Sequence, residues 1–140
     1  MDTKDFFSFK GRIRRSTFGI RLVAFFIIFL IVYFLLITVG VMFEVIAPEN
    51  ILVLGVVLLV YILVLVMLII MLIAYIIQAV KRLHDLDRDG IWAILLFIPI
   101  VSPIFLLFLI FADGTIGPNR HGEDPKGRTP YFMTQGNMQQ

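Results

Sequence analysis

Three long stretches of this sequence contain no charged residue, and they constrain the fold more than any other feature. They run from 23 to 43, from 51 to 80 and from 91 to 112. Each is at least as long as the roughly 20 apolar residues that cross a ~30 Å hydrocarbon core as a helix. Hydrocarbon offers no hydrogen-bond partners, so the backbone groups of such a stretch must pair within it, which favours helices. The sequence therefore predicts an all-α membrane protein with three transmembrane helices joined by short charged loops.

The composition fits this architecture, because 60% of the residues are hydrophobic and only 16% are charged. A soluble domain of this size could not bury so much apolar surface in one core. The absence of cysteine excludes disulfide scaffolds and thiolate metal sites. We therefore expect a single membrane domain over residues 1–126, with spans at about 22–43, 51–80 and 91–112, and a polar flexible tail at 127–140.

Basic residues are unevenly distributed around the three runs. Six lie in the leader before the first run, three in the loop 81–90 and three in the tail after residue 112, whereas the loop 44–50 has two acids and no base. Lysine and arginine near the ends of spans favour the cytoplasmic side of a membrane. The sequence therefore predicts a multi-pass protein with a cytoplasmic N-terminus, an outer loop at 44–50, an inner loop at 81–90 and a C-terminus outside.

The third apolar run differs from the others because it contains Pro99 and Pro103, one helical turn apart. Proline lacks a backbone N–H and its ring clashes with the carbonyl four residues earlier. We therefore predict a full span that is kinked between about 95 and 103. The alternative is a re-entrant hairpin bent at the two prolines, which would return the tail to the cytoplasm.

The loop between the second and third runs is densely charged, with the sequence Lys-Arg-Leu-His-Asp-Leu-Asp-Arg-Asp-Gly from 81 to 90. Its histidine and acids suggest a metal site or a proton-transfer pair. However, the neighbouring bases compete for the carboxylates, and the ligand spacing of a carboxylate cage is missing. No nucleophile that would complete a catalytic pair is identifiable. We therefore interpret the loop as a charged turn whose ion pairs fix the angle between the second and third helices.

Aromatic and basic residues are interleaved in the leader from 6 to 18. This pattern is typical of a segment at the membrane interface, with rings at headgroup depth and bases on lipid phosphate. We expect Arg12, Arg14 and Arg15 to bind either anionic lipid headgroups or the acids of the 85–89 turn. A nucleic-acid role would need a larger folded basic surface and is not expected.

Several short motifs occur in a fixed order along the chain. They are Phe9-Lys-Gly-Arg-Ile-Arg-Arg15, Arg82-Leu-His-Asp85, Arg88-x-Gly90-x-Trp92, Ile98-Pro99 and Gly114-Thr-x-Gly117-x-Asn119-Arg-x-Gly122-x-Asp124-Pro125. The ordered set resembles the bacterial domain-of-unknown-function family 805, the YhaH-like inner membrane proteins. The resemblance covers nearly the whole chain, from about residue 6 to residue 126.

This resemblance implies a location in the bacterial cytoplasmic membrane, and it implies no substrate. It also implies that six residues belong to one shared structural or functional set: Arg12, Arg82, His84, Asp85, Asn119 and Asp124. The candidate functional rim that we predict at the inner face of the membrane includes these six together with Arg15 and Arg88.

The three runs contain no acidic, basic or histidine side chain, and ion-coupled transporters and proton relays depend on such residues. We therefore predict a non-enzymatic structural or interaction component of the membrane, with no cofactor and no metal. Its expected partners are the lipid bilayer, including anionic headgroups, and a protein partner or a second copy. The alternative is a small oligomeric transporter or channel subunit with a path lined by Tyr61, Tyr75 and Ser102. A third class, a metal-dependent membrane hydrolase centred on His84 and Asp85, is weaker.

Overall fold

The computed structural model describes residues 6–46 and 51–130, and these residues form helices joined by turns. The long helices are α1, Arg15–Ile46, and α2, Ile51–Asp85. A 3₁₀ helix, Gly90–Phe97, and a short helix α3, Val101–Phe111, follow them. The flexible tail predicted from residue 127 lies mostly outside the described residues.

Helices α1 and α2 are long and apolar enough to cross a membrane. They contain 32 and 35 residues, which correspond to roughly 48 and 52 Å at 1.5 Å per residue. Only 6% of the most apolar window of each helix is buried inside the protein. A core helix of a soluble protein would be mostly buried, so these apolar surfaces match the hydrocarbon of a bilayer. The first two predicted helices are confirmed.

The chain divides into two compact units. One is Leu22–Ile73, and the other joins Met1–Arg21 to Ala74–Gln140. Within the first unit the two helices touch where Tyr61 meets Gly40, because a Cβ on this glycine would lie 3.1 Å from the tyrosine hydroxyl. Within the second unit lies the hydrophobic core that positions the candidate site.

That core forms around the last turns of α2, where Ala79 and Leu83 are almost fully buried. Phe18 packs on them from the leader side and Leu109 from α3. Other core members are Ile13, Val80 and Ala93. The leader, the end of α2 and both short helices therefore share one apolar core.

The third apolar run is not a continuous helix, and the predicted kinked third span is not confirmed. The 3₁₀ helix ends at Phe97 because Ile98 precedes a proline, which disfavours the α conformation, and its backbone is extended at φ −93° and ψ 110°. Pro103 lies in the first turn of α3, where its missing N–H costs no helical hydrogen bond. Pro99 thus follows the end of the 3₁₀ helix, and Pro103 is accommodated at the start of α3.

The two short helices form a hairpin with limbs of equal length. Eight residues of 3₁₀ helix rise about 16 Å, and eleven residues of α-helix rise about 16 Å. The limbs pack against each other. Each limb is therefore about half as long as a ~30 Å hydrocarbon core is thick.

A pair of leucines in α3 tests this packing. Leu109 is fully buried, whereas Leu107 is 55% exposed on the same helix. Leu109→Ala should lower the free energy of unfolding by about 2–5 kcal/mol, because it leaves a cavity in the core. Leu107→Ala should change it by about 0.5 kcal/mol or less. Unfolding of the purified protein in detergent measures both, and equal losses would contradict the hairpin packing.

Candidate functional site

The carboxylate of Asp85 lies between two arginines at the C-terminal end of α2. Its Oδ1 accepts a hydrogen bond from Arg12 Nε at 3.1 Å, and its Oδ2 accepts one from Arg82 Nη1. The three side chains are only 0–2% exposed. A buried charge is tolerated only when it is paired and hydrogen-bonded, so this cluster depends on all its partners being present.

Arg12 uses every donor of its guanidinium group, which carries five N–H bonds. Besides Asp85, Nη1 donates to the carbonyls of Gly117 at 2.8 Å and Gly122 at 3.2 Å. Nη2 donates to the carbonyl of Thr115 at 2.7 Å and to its hydroxyl at 3.0 Å. A lysine has one nitrogen with three donors and could not replace this arrangement. Arg12 therefore fastens the leader to the tail.

Arg82 closes the C-terminal end of α3. Its Nε donates to the carbonyl of Leu109 at 2.8 Å, and its Nη2 donates to the carbonyl of Ala112. The last carbonyls of a helix have no partner within the helix, and positive charge is favourable there. The returning limb of the hairpin is thus capped by an arginine from α2.

The tail backbone also contacts Asp85 directly. Thr115 donates from its N–H to the Asp85 carbonyl at 2.9 Å and from its hydroxyl at 3.2 Å. A Cβ on Gly114 would lie 2.6 Å from the carboxylate carbon of Asp85, so only glycine permits this approach. The first part of the tail therefore lies against the 81–90 loop.

These contacts bear on the two topologies considered for the third apolar run. The segment 113–128 meets both the leader and the 81–90 loop, at the end of the hairpin where the third run begins. The predicted topology places the leader and the tail on opposite sides of the membrane, and this sidedness stays a prediction. The sequence-based alternative of a re-entrant hairpin would place these segments on one side of the membrane. We call the segments 9–15, 81–90 and 113–128 together the cap.

Asp124 organises the tail within the cap. Its carboxylate accepts hydrogen bonds from Arg128 Nε at 2.8 Å, from the Lys126 N–H at 2.8 Å and from the Gly117 N–H at 3.3 Å. Burial alone would raise the pKa of Asp124, but these hydrogen bonds and the charge of Arg128 outweigh it and hold the pKa below its usual value. Asp124 therefore stays ionised and fixes the turn.

Arg128 is a member of the cap that the sequence analysis missed, because it was assigned to the flexible tail. Its Nη2 donates to the carbonyls of Gly114 at 3.0 Å and Thr115 at 3.2 Å. Its ion pair with Asp124 raises the pKa of the guanidinium. The signal available in the sequence was the spacing of four residues between Asp124 and Arg128, which permits an ion pair.

Asn119 and His84 also make contacts within the cap. Asn119 Nδ2 donates to the His84 carbonyl at 2.9 Å and to the Thr115 hydroxyl at 3.0 Å. His84 Nδ1 lies 3.3 Å from the Gly11 carbonyl. The His84 ring stacks on His121 with centroids 3.9 Å apart and planes 4° from parallel. Nε2 of His121 is buried and has no hydrogen-bond partner among the described residues.

Two residues of the predicted rim are not brought into the cluster. Arg15 is exposed, and its guanidinium makes no hydrogen bond to any residue of the described ranges. Arg88 is also exposed, and only its backbone N–H is bonded, to the Leu83 carbonyl at 2.9 Å. Its neighbours Asp87 and Asp89 both pair with Arg120 at 3.2 Å. The side chains of the remaining six rim residues form hydrogen bonds within the cap, and their functional role stays a prediction.

The hydrogen bonds within the cluster limit which of its groups could bind or react with another molecule. Both carboxylate oxygens of Asp85 and all donors of Arg12 are engaged by the chain. In the described residues, 6–46 and 51–130, no group of three or more His, Asp or Glu is placed to hold a metal ion. The arrangement holds chain segments together.

Two long apolar helices and a charged cluster beside a short hairpin define a helical membrane protein. A family model described as "Protein of unknown function (DUF805)" matches residues 6–123, and the chain belongs to this family. The resemblance drawn from the sequence motifs is confirmed.

Curated relatives share part of the sequence. The inner membrane protein YhaI of Escherichia coli (strain K12) is 50% identical over 48 residues, which is 34% of this chain and 41% of YhaI. The inner membrane protein YhaH of the same strain is 44% identical over 46 residues, which is 33% of this chain and 38% of YhaH. The match thus spans about two-fifths of these relatives' length. No solved structure matches the chain.

Two nearby acids, Asp85 and Asp87, test whether the buried ion pairs stabilise the cap. Asp85→Asn leaves two arginines buried without a counter-charge, so it should cost about 3–5 kcal/mol of the free energy of unfolding. The control Asp87→Asn removes an exposed ion pair with Arg120 and should cost about 1 kcal/mol or less. Chemical unfolding in detergent measures both variants. A tolerated Asp85→Asn would show that the buried pairs do not form.

Proposed function

We propose that this protein is a non-enzymatic structural or interaction component of the bacterial cytoplasmic membrane. Helices α1 and α2 cross the bilayer, the hairpin enters it from the cytoplasmic side, and the cap folds on the cytoplasmic face. The relatives YhaI and YhaH carry the name inner membrane protein, which supports this location.

The observation that carries the structural role is that the side chains of Arg12, Asp85 and Arg82 all form hydrogen bonds with other parts of the chain. A general acid or base needs an accessible group within hydrogen-bond reach of its substrate. Here the carboxylate oxygens of Asp85 accept from two arginines, and the arginines donate to backbone carbonyls of the tail and α3. The charged groups that look most like a catalytic centre in the sequence are thus used for folding.

Apolar side chains around the hairpin support its insertion into hydrocarbon. Ile100 at the bend is 82% exposed, Ile94 on the first limb 60% and Ile104 on the second 68%. Non-helical backbone is tolerated in a membrane only where its polar groups are paired. At the bend, the Ile98 N–H donates to the Leu95 carbonyl at 3.3 Å, and the Ser102 N–H donates to the Ile98 carbonyl at 2.8 Å.

Charge distribution supports the cytoplasmic orientation of the cap. With the leader, the 81–90 loop and the tail on one side, all 12 lysines and arginines lie on that side. The loop 44–50, on the other side, has two acids and no base. This distribution follows the positive-inside rule more closely than the nine against three of a fully crossing third run.

The cap also offers a surface for a protein partner or a second copy. Arg120, Asp87 and Asp89 form an exposed ion-pair network, with side chains 45–61% exposed. Exposed charges of both signs favour selective docking through complementary charge and contribute little to stability.

Single cysteines test the orientation, because the natural chain has none. Lys10→Cys, Glu44→Cys and Glu123→Cys all replace exposed residues. A membrane-impermeant maleimide added to intact spheroplasts should label only Glu44→Cys. The other two should react only after permeabilisation. Labelling of Glu123→Cys from outside, with Lys10→Cys protected, would restore a crossing third run and contradict the proposal.

A further inference from the structure

An open groove of about 220 Å³ lies beside the hairpin, at the end where the hairpin meets the cap. Its lining is apolar except for one arginine: Leu83, Arg88, Trp92, Leu95, Phe105 and Phe108. Sites that enclose a whole small molecule usually measure ~300–1,000 Å³. The groove therefore has room for a segment of a larger ligand.

Arg88 supplies a positive charge that the protein does not neutralise. The two acids beside it in the sequence, Asp87 and Asp89, are both paired with Arg120. No acid of the described ranges forms an ion pair with Arg88, and its side chain is exposed. The guanidinium group is therefore available to an anion, and its planar fork suits phosphate oxygens.

The rest of the groove is apolar and therefore suits a hydrocarbon chain. Trp92 is 47% exposed, and tryptophan is enriched at the level of lipid headgroups. Close to it, Ile91 and Ile94 are 73% and 60% exposed, so the surface around the groove is apolar. A free phosphate ion would gain nothing from this lining. A ligand that joins a phosphate to an acyl chain satisfies both parts.

We propose that the groove binds one acyl chain of an anionic phospholipid whose phosphate pairs with Arg88. This proposal rests on the insertion of the hairpin into the membrane proposed above. It assigns the binding of anionic headgroups to an arginine at the hairpin, and not to Arg12, whose donors are consumed inside the cap.

Trp92 is the only tryptophan of the chain, so its fluorescence reports on this groove alone. The full-length protein is reconstituted in phosphatidylcholine vesicles that contain increasing fractions of a lipid with brominated acyl chains. The brominated lipid is phosphatidylglycerol in one series and phosphatidylcholine in the other. We expect quenching of Trp92 in both, with an apparent affinity about fivefold higher for the anionic lipid.

Two matched variants separate the site from general charge attraction. Arg88→Gln should reduce the preference for the anionic lipid to about one. Arg15→Gln removes the same charge from an exposed arginine that does not line the groove, and it should keep the preference. Equal quenching by the two lipids in the natural chain, or an unchanged preference in Arg88→Gln, overturns the lipid site alone. Absence of quenching by either lipid overturns the membrane insertion of the hairpin as well.

Discussion

The rest of the cap depends on the ion pairs that the buried carboxylate of Asp85 forms with Arg12 and Arg82. The carboxylate is shared by two arginines, so the site keeps a net positive charge, and backbone carbonyls must complete its solvation. Those carbonyls come from the tail at Thr115, Gly117 and Gly122 and from the end of α3 at Leu109 and Ala112. A buried ion pair is seldom more stable than an apolar replacement. Its effect here is to specify which segments meet.

The hairpin is the consequence of that requirement. The tail can reach Asp85 only if the third apolar run turns back, and the two limbs of about 16 Å allow it to return to its starting level. Pro99 ends the first limb, and Pro103 is accommodated in the first turn of the second. Arg82 then caps the returning helix, so α2 contributes both the anion and one of its cations.

The sequence predicted what depends on local composition. The lengths of the first two apolar runs specified α1 and α2, and the motifs identified six of the rim residues that meet in the cap. Local rules predicted a kinked third span and left a hairpin as the alternative, because its two prolines are compatible with both. Contacts between Arg12 and the tail join residues more than 100 positions apart, which no helical period reveals. Arg128 was missed because it was assigned to the flexible tail, whereas it pairs with Asp124.

A double-mutant cycle between Arg12 and Asp85 tests the central claim most directly. The free energies of unfolding in detergent are compared for the natural chain, Arg12→Gln, Asp85→Asn and the double variant. Because the two groups share one buried hydrogen bond, the account predicts a coupling energy of about 1–3 kcal/mol. Strict additivity, with the loss from Arg12→Gln unchanged when Asp85 is already replaced, would contradict the account.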